Sequence, residues 1–312
     1  MFVSKMYFVT GNASFIGASH VRNKTVCQDA SISLVEERTR KYALSAVSDG
    51  HGSKKHFRSE LGSKFAIECA KEVAEKISRN YHKILKNLKK YGGYDDNFLN
   101  YIASQIIILW NKKCIEHVKN HPYVNDEKYL LLTDEDKASI NKDNDYINGD
   151  INNLKAYGAT FLMYIRFKDF SLVLKLGDGN VLFIKDEKIY EDESIIDNNL
   201  KFNLTSSLCS EDALKKFNYK FFDKENTPDA VLISSDGIIN SFENEQYFYT
   251  YCAKVVDLYL KEDKSYEDKI KELLESLSYI TETGSGDDCS IAFVINKDIS
   301  QFIKEYLAKK EN

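Results

Sequence analysis

The sequence predicts an α+β layered fold, because strand-like and helix-like segments fall in separate runs and do not alternate. Two long stretches with helical apolar spacing follow a block of short strands. A second block of strands then precedes two more helices, a last strand and a closing helix. No internal repeat interrupts this order, and with only two prolines the chain has no stiff Pro-rich linker.

The first 50 residues read as strands, with short β-branched and apolar runs at 30–35 and 42–47 separated by the charged turn EERTRK. The second run ends in Ser48-Asp49-Gly50-His51-Gly52, a loop signal at a strand end. Phe57, Leu61, Phe65, Cys69, Val73 and Ile77 then keep helical spacing, and Phe98, Ile102, Ile106, Leu109, Trp110 and Val118 do so again. The two helices would pack as an antiparallel pair, with a break at Gly92-Gly93 between them. Residues 120–155 are polar and rich in Asn and Asp, which reads as an insertion or flap. Strand character returns at 158–167, 171–176, 181–185 and 231–234. Helices fit 244–260 and 266–279, a last strand fits 289–295, and Ile299, Phe302, Ile303, Tyr306 and Leu307 mark an amphipathic closing helix.

With 312 residues the chain is long enough to bury a substantial core, and 43% hydrophobic against 29% charged residues is an ordinary globular balance. A formal charge of −5 offers no basic face for nucleic acid. The six cysteines show no C-x-x-C pairing, as expected of reduced thiols in a cytoplasmic protein. The N-terminus lacks a run long enough for a signal peptide, and no window approaches 18 apolar residues, so no membrane partner is expected.

The chemistry concentrates in five segments where an aspartate stands beside a strand end among small residues. They are Cys27-Gln28-Asp29, Asp49-Gly50-His51-Gly52, Gly177-Asp178-Gly179, Ser235-Asp236-Gly237 and Gly286-Asp287-Asp288. Asp-Gly alone is a common turn. As a set, however, these carboxylates are hard oxygen donors suited to Mg²⁺ or Mn²⁺, and the glycines let backbone or phosphate come close.

The set also resembles a known family. VRNKTVCQDA, AVSDGHGS, YGATFLMYI, LKLGDGNVLFI, VLISSDGII and GDDCSIAFVI occur in the order found in the metal-dependent PP2C-like protein serine/threonine phosphatases, with a first motif most similar to a bacterial branch. The resemblance implies a four-layer α/β/β/α sandwich of two antiparallel sheets. The metal site would lie at one end, within a single domain over residues 1–312 that carries the 120–155 insertion. It further implies that Asp49 bridges two metal ions with the Gly50 carbonyl on one of them. Asp236 and Asp287 would hold the other, and Asp29 would support metal-bound water. His51 would protonate the leaving alcohol, and Asp178 would serve a weaker third metal. Asp287, not Asp288, is the implied ligand of the last pair.

In that chemistry two Mn²⁺ or Mg²⁺ ions activate a water for in-line attack on phosphorus, with no covalent phospho-enzyme. A histidine near its ordinary pKa can give the departing seryl or threonyl oxygen its proton.

Three positions depart from the family pattern. Gln28 replaces a glutamate before the first aspartate. Lys24 stands where many relatives have a phosphate-binding arginine, with Arg22 two residues upstream as a substitute; lysine lacks the bidentate fork. Asn240 replaces an acidic residue four positions past Asp236, which weakens the case for the third metal.

Other motifs carry less. His117 and His121 have an i, i+4 spacing, but with no third ligand they read as a solvated pair. Asn141, Asp143 and Asp145 open like a calcium loop, but Tyr146 and Asn152 occupy the positions that need glycine and glutamate. No C-x₅-R and no phosphate-binding P-loop motif occurs.

The reading is a monomeric phosphatase acting on a phosphoprotein made by a Ser/Thr kinase. Two alternatives remain: a weak or inactive phosphoprotein-binding regulatory module on the same fold, and a phosphoesterase for small molecules.

Overall fold

The computed structural model describes residues 8–36, 42–91, 96–140, 154–195 and 205–311. The Gly92-Gly93 break, most of the EERTRK turn and the calcium-like run at 141–145 lie outside these residues.

Strand β1 (Phe8–Phe15) is followed by a short helix α1 (Ala18–Asn23), then by β2 (Ala30–Val35) and β3 (Tyr42–Ser48). Helices α2 (Ser59–Arg79), α3 (Tyr81–Tyr91) and α4 (Asp96–Asn120) come next, and α5 (Glu127–Leu130) and α6 (Asp134–Ile140) belong to the insertion. Strands β4 (Phe161–Phe167), β5 (Phe170–Leu176), β6 (Asn180–Lys185) and β7 (Lys188–Glu191) follow. After α7 (Ala213–Lys216) come β8 (Asn218–Asp223), β9 (Ala230–Ser234) and the short α8 (Asp236–Ile239). The chain closes with α9 (Glu245–Leu260), α10 (Tyr266–Thr283), β10 (Cys289–Asn296) and α11 (Ser300–Glu311).

The strands form two antiparallel five-stranded sheets, ordered β1-β10-β9-β6-β7 and β2-β3-β4-β5-β8. Both faces of each sheet are covered, so the central strands β3, β5, β9 and β10 are buried almost end to end and read as apolar runs with little alternation. Val47, Leu162, Val173, Phe183, Val231 and Val294 fill the space between the sheets. The outer face of the β3 sheet packs on α2 and α4 through Leu44, Ala70, Val73, Ile106 and Trp110. The outer face of the β10 sheet packs on α9, α10 and α11 through Phe293, Val256, Leu277 and Ile303. This is the expected four-layer α/β/β/α sandwich.

Residues 120–140 are better ordered than their polar composition suggests. Tyr123, Tyr129, Leu132 and Ile140 are buried against the α2 side of the core. Arg58, itself buried, holds this segment in place: its guanidinium donates to Asp126 Oδ2 at 2.8 Å, the His121 carbonyl at 2.8 Å and Tyr157 Oη at 2.9 Å. His117 is likewise not simply solvated. Its Nδ1 lies 2.7 Å from Tyr157 Oη, and its ring stacks on His121 at 4.4 Å.

Candidate metal centre

Antiparallel register gathers the aspartates. Ala30 pairs with Ser48, so Asp29 and Asp49, one residue beyond on each strand, reach the same end of one sheet. In the other sheet Ser234 pairs with both Asn180 and Ile291, which brings Asp178, Asp236 and the Asp287-Asp288 turn to the matching end. The two ends face each other across a cleft of about 300 Å³ whose walls include Asp49, Gly50, Gln28, Asp287 and Asp288.

Each loop is fixed by backbone groups. Asp49 N–H donates to Thr160 Oγ1 at 2.9 Å while Thr160 N–H donates to the Asp49 carbonyl at 2.8 Å. Gly50 must lack a side chain, since a Cβ there would lie 2.7 Å from the Gln28 carbonyl oxygen and 2.8 Å from that of Ser59. Gly177, at φ +108, makes the turn from β5 into Asp178 in a region that disfavours other residues. Asp178 Oδ2 accepts from Thr205 Oγ1 at 2.5 Å, and Asp236 Oδ2 accepts from Asn240 Nδ2 at 3.0 Å.

Burial and mutual repulsion disturb the carboxylates together. Desolvation, then the charges of Asp29, Asp236, Asp178 and Asp287, push Asp49 well above the usual carboxylate range. Asp29 is pushed up to about 8, first by burial; Asp288 and Asp287 add to this, and the nearby Ser235 and Ser290 hydroxyls oppose it. Asp236 rises to about 6, again chiefly through burial, with Asp178 and Asp287 adding to it and the hydrogen bonds of Asp49 and Asn240 opposing it.

This crowding tests whether the residues suit divalent cations. Asp29 is 5% exposed, yet neither of its carboxylate oxygens makes a hydrogen bond of good geometry, the Ser235 and Ser290 hydroxyls being near it but not aligned. A buried carboxylate left unbonded costs free energy that positive charge, or water ordered around it, would recover. The donor set, all oxygen, suits Mg²⁺ or Mn²⁺. Among the described residues no three His, Cys, Asp or Glu side chains close around one point, so no ion would be enclosed by side chains alone. Mg²⁺-like ions keep several waters and need only one or two carboxylates each, and the open cleft leaves room for them.

The other expected residues fall into place unevenly. His51 is half-buried and donates its backbone N–H to the Gly158 carbonyl at 3.0 Å, with its ring 4.9 Å from that of His56. Burial, reinforced by Lys55 and opposed by Asp178, lowers its pKa below the ordinary histidine value that the sequence reading assumed. Arg22 and Lys24 are exposed, and neither lines the carboxylate cleft. The Arg22 guanidinium borders the Gly286 loop, whereas Lys24 lines a neighbouring groove.

Two groups escaped the sequence reading. Asp288 Oδ1 accepts from Gly17 N–H at 2.6 Å and lies 2.9 Å from His20 Nδ1, while its Oδ2 accepts from Gln28 N–H at 2.6 Å. Its oxygens are thus spent on protein partners, whereas Asp287 is exposed in the cleft. Thr160 lies within the YGATF segment, but nothing in its type marks it as the Asp49 clamp.

Two antiparallel sheets with helices on both outer faces, and a carboxylate cleft where the sheet ends meet, define the PP2C-type class of proteins. The chain belongs to the protein phosphatase 2C family, whose model matches residues 16–275. Membership places it among protein phosphatases. No curated protein sequence matches it. Among solved structures it is similar to the serine/threonine phosphatase Stp1 from Staphylococcus aureus, at 14% identity and TM-score 0.51, covering 93% of this chain and 95% of that one. It is similar to the catalytic domain of serine/threonine protein phosphatase PstP in complex with two manganese ions, at 13% identity and TM-score 0.51, covering 92% and 97%. A third is PppA, described as a key regulatory component of T6SS in Pseudomonas aeruginosa, at 12% identity and TM-score 0.52, covering 93% and 97%. At these identities the likeness is one of fold. Among the described residues no helix is long and apolar enough to cross a membrane.

Proposed function

We propose that the chain hydrolyses phosphoserine or phosphothreonine in proteins, using two divalent cations held in the carboxylate cleft. The observation that carries this reading is the convergence of Asp29, Asp49, Asp178, Asp236 and Asp287, where burial and the neighbouring carboxylates raise the pKa of Asp29, Asp49 and Asp236. Bound there, Mn²⁺ or Mg²⁺ would supply an activated water and neutralise charge on the phosphoryl oxygens.

The chain's own residues divide the remaining work. Asp49, directly after β3 and lining the cleft with Gly50, would hold both ions, with the Gly50 carbonyl on one of them. Asp236 and Asp287 face it from the other sheet. Asp29, buried and unbonded, would orient ordered water. Asn240 already donates to Asp236, which argues against a strong third ion on Asp178. His51 would protonate the leaving oxygen, and Arg22, beside the Asp287 loop, would meet the phosphoryl group; Lys24 lies farther out.

A regulatory module without turnover is less well supported, because none of the five aspartates has been lost. The deciding experiment is phosphate release from a phosphothreonine peptide with Mn²⁺, with and without chelator. Chelator-sensitive release is expected, and no release at any Mn²⁺ concentration would leave the binding-module reading.

A further inference from the structure

Next to the carboxylate cleft runs a second groove of about 410 Å³ that shares Gln28 and Gly52 with it as a common wall. Its floor is the buried pair Phe57 and Leu132, and its rims are Val26 and Leu131, which are 50% and 84% exposed. Leu131 is a large apolar side chain almost wholly in water, on a segment that Arg58 holds rigidly to the core. Lys24 and Lys54 stand over the same space. The third lysine there, Lys128, is already paired with Glu60 Oε1 at 3.1 Å and donates to the Phe57 carbonyl. The groove therefore offers an apolar slot, two positive charges and direct continuity with the site where phosphate would be cleaved.

We propose that this groove is a specificity subsite. It takes a bulky apolar side chain flanking the phosphorylated residue of the substrate, and Lys54 and Lys24 hold an acidic residue beside it. This rests on the proposed phosphoprotein substrate. Two features select a peptide as the occupant: the continuity through Gln28 and Gly52, which lets an extended chain run from cleft to groove, and a charge opposite to that of an acidic phosphopeptide. The wall built by α5 and Leu131 belongs to the 120–155 insertion, so the insertion's role is to select substrate.

The test compares phosphothreonine peptides that carry Leu with Glu, or Gly with Ser, at flanking positions on either side. Initial rates are measured on wild type, Leu131→Ser and Lys54→Glu, with p-nitrophenyl phosphate as the control. Wild type should favour the Leu-Glu peptide on one flank. Each variant should raise KM for that peptide about tenfold, with kcat and aryl phosphate turnover unchanged. Leu131 is exposed, so its replacement leaves the fold intact. Equal KM for wild type and both variants, or no flank preference in wild type, would overturn the subsite. Binding of the same peptides with a non-hydrolysable phosphonate, read by fluorescence polarisation, separates the two readings. Groove-dependent binding without turnover would sink the hydrolase reading and keep the subsite, whereas turnover with groove-independent binding would do the reverse.

Discussion

The Asp288 carboxylate accepts the backbone N–H of Gln28, 260 residues earlier, at 2.6 Å and so ties the entry of β2 to the start of β10 across the mouth of the two sheets. With Gly17 and His20 on its other oxygen, Asp288 is a clamp, while its neighbour Asp287 faces the cleft. The two should therefore fail differently. Asp287→Ala should weaken Mn²⁺ binding by calorimetry and cost less thermal stability in chelator, since it strands only the Asp288 N–H that Asp287 Oδ1 accepts at 2.8 Å. Asp288→Ala strands two backbone donors and should cost about 3 kcal/mol of folding stability. A larger loss of Mn²⁺ affinity for a well-folded Asp288→Ala would reverse the assignment.

Asp49→Asn should cut phosphopeptide turnover by at least about a hundredfold, because the carboxylate proposed to touch both ions loses its charge. In chelator the same variant should melt higher than wild type, since it removes a carboxyl whose ionisation burial and the neighbouring carboxylates oppose. Retained activity would defeat the two-ion proposal. A lower melting temperature in chelator would show that Asp49 is a structural element.

Much of this was legible in the sequence because the signals were local. The apolar runs of β3, β5, β9 and β10 and the periodic spacing of α2, α4, α9 and α10 announced themselves, and each aspartate stood beside a strand end, Asp29 and Asp287 ahead of β2 and β10 and the other three behind β3, β5 and β9. What escaped depended on tertiary contact. The bounds of strand β1, FVTGNASF, are one case: it lies in the block that reads as strands but has no clear run of its own, and β10 holds it along its length, with Gly11 where a Cβ would lie 2.5 Å from the rings of Phe293 and Tyr259. The β6–β7 hairpin turns on Asp186 and Glu187 at φ 49 and 57, without the glycine or asparagine that usually betrays such a turn. The clamp role of Asp288 and the anchor role of Arg58 join residues far apart in sequence, which no spacing rule can reveal.

His51→Ala should slow an alkyl phosphopeptide by roughly a hundredfold, since a proton must reach a basic leaving oxygen. The same variant should slow p-nitrophenyl phosphate far less, because that leaving group departs without a proton. The ring contact with His56 and the Gly158 bond also permit a purely supporting role for the loop. Equal losses of kcat on both substrates at saturating Mn²⁺ would assign it that role and exclude the acid.

His56 gives the fold an acid-sensitive point. Burial, with the charges of His51, Lys55 and Lys155, holds its pKa down at about 3 against an ordinary 6.5, while Nδ1 lies 2.9 Å from Ser53 Oγ. The unfolded chain therefore binds a proton between pH 6.5 and 3 that the folded chain refuses. Stability from this group is complete above pH 6.5 and is lost as pH falls toward 3. At pH 5.5 the loss amounts to about 1 kcal/mol. His56→Gln keeps a polar partner for Ser53 and cannot take up the proton. Its urea-unfolding free energy should match or fall slightly below wild type at pH 7.5 and gain on it as pH drops to 5. Parallel pH profiles for the two proteins would show that His56 is protonated in the fold without penalty, and the burial argument would fail with it.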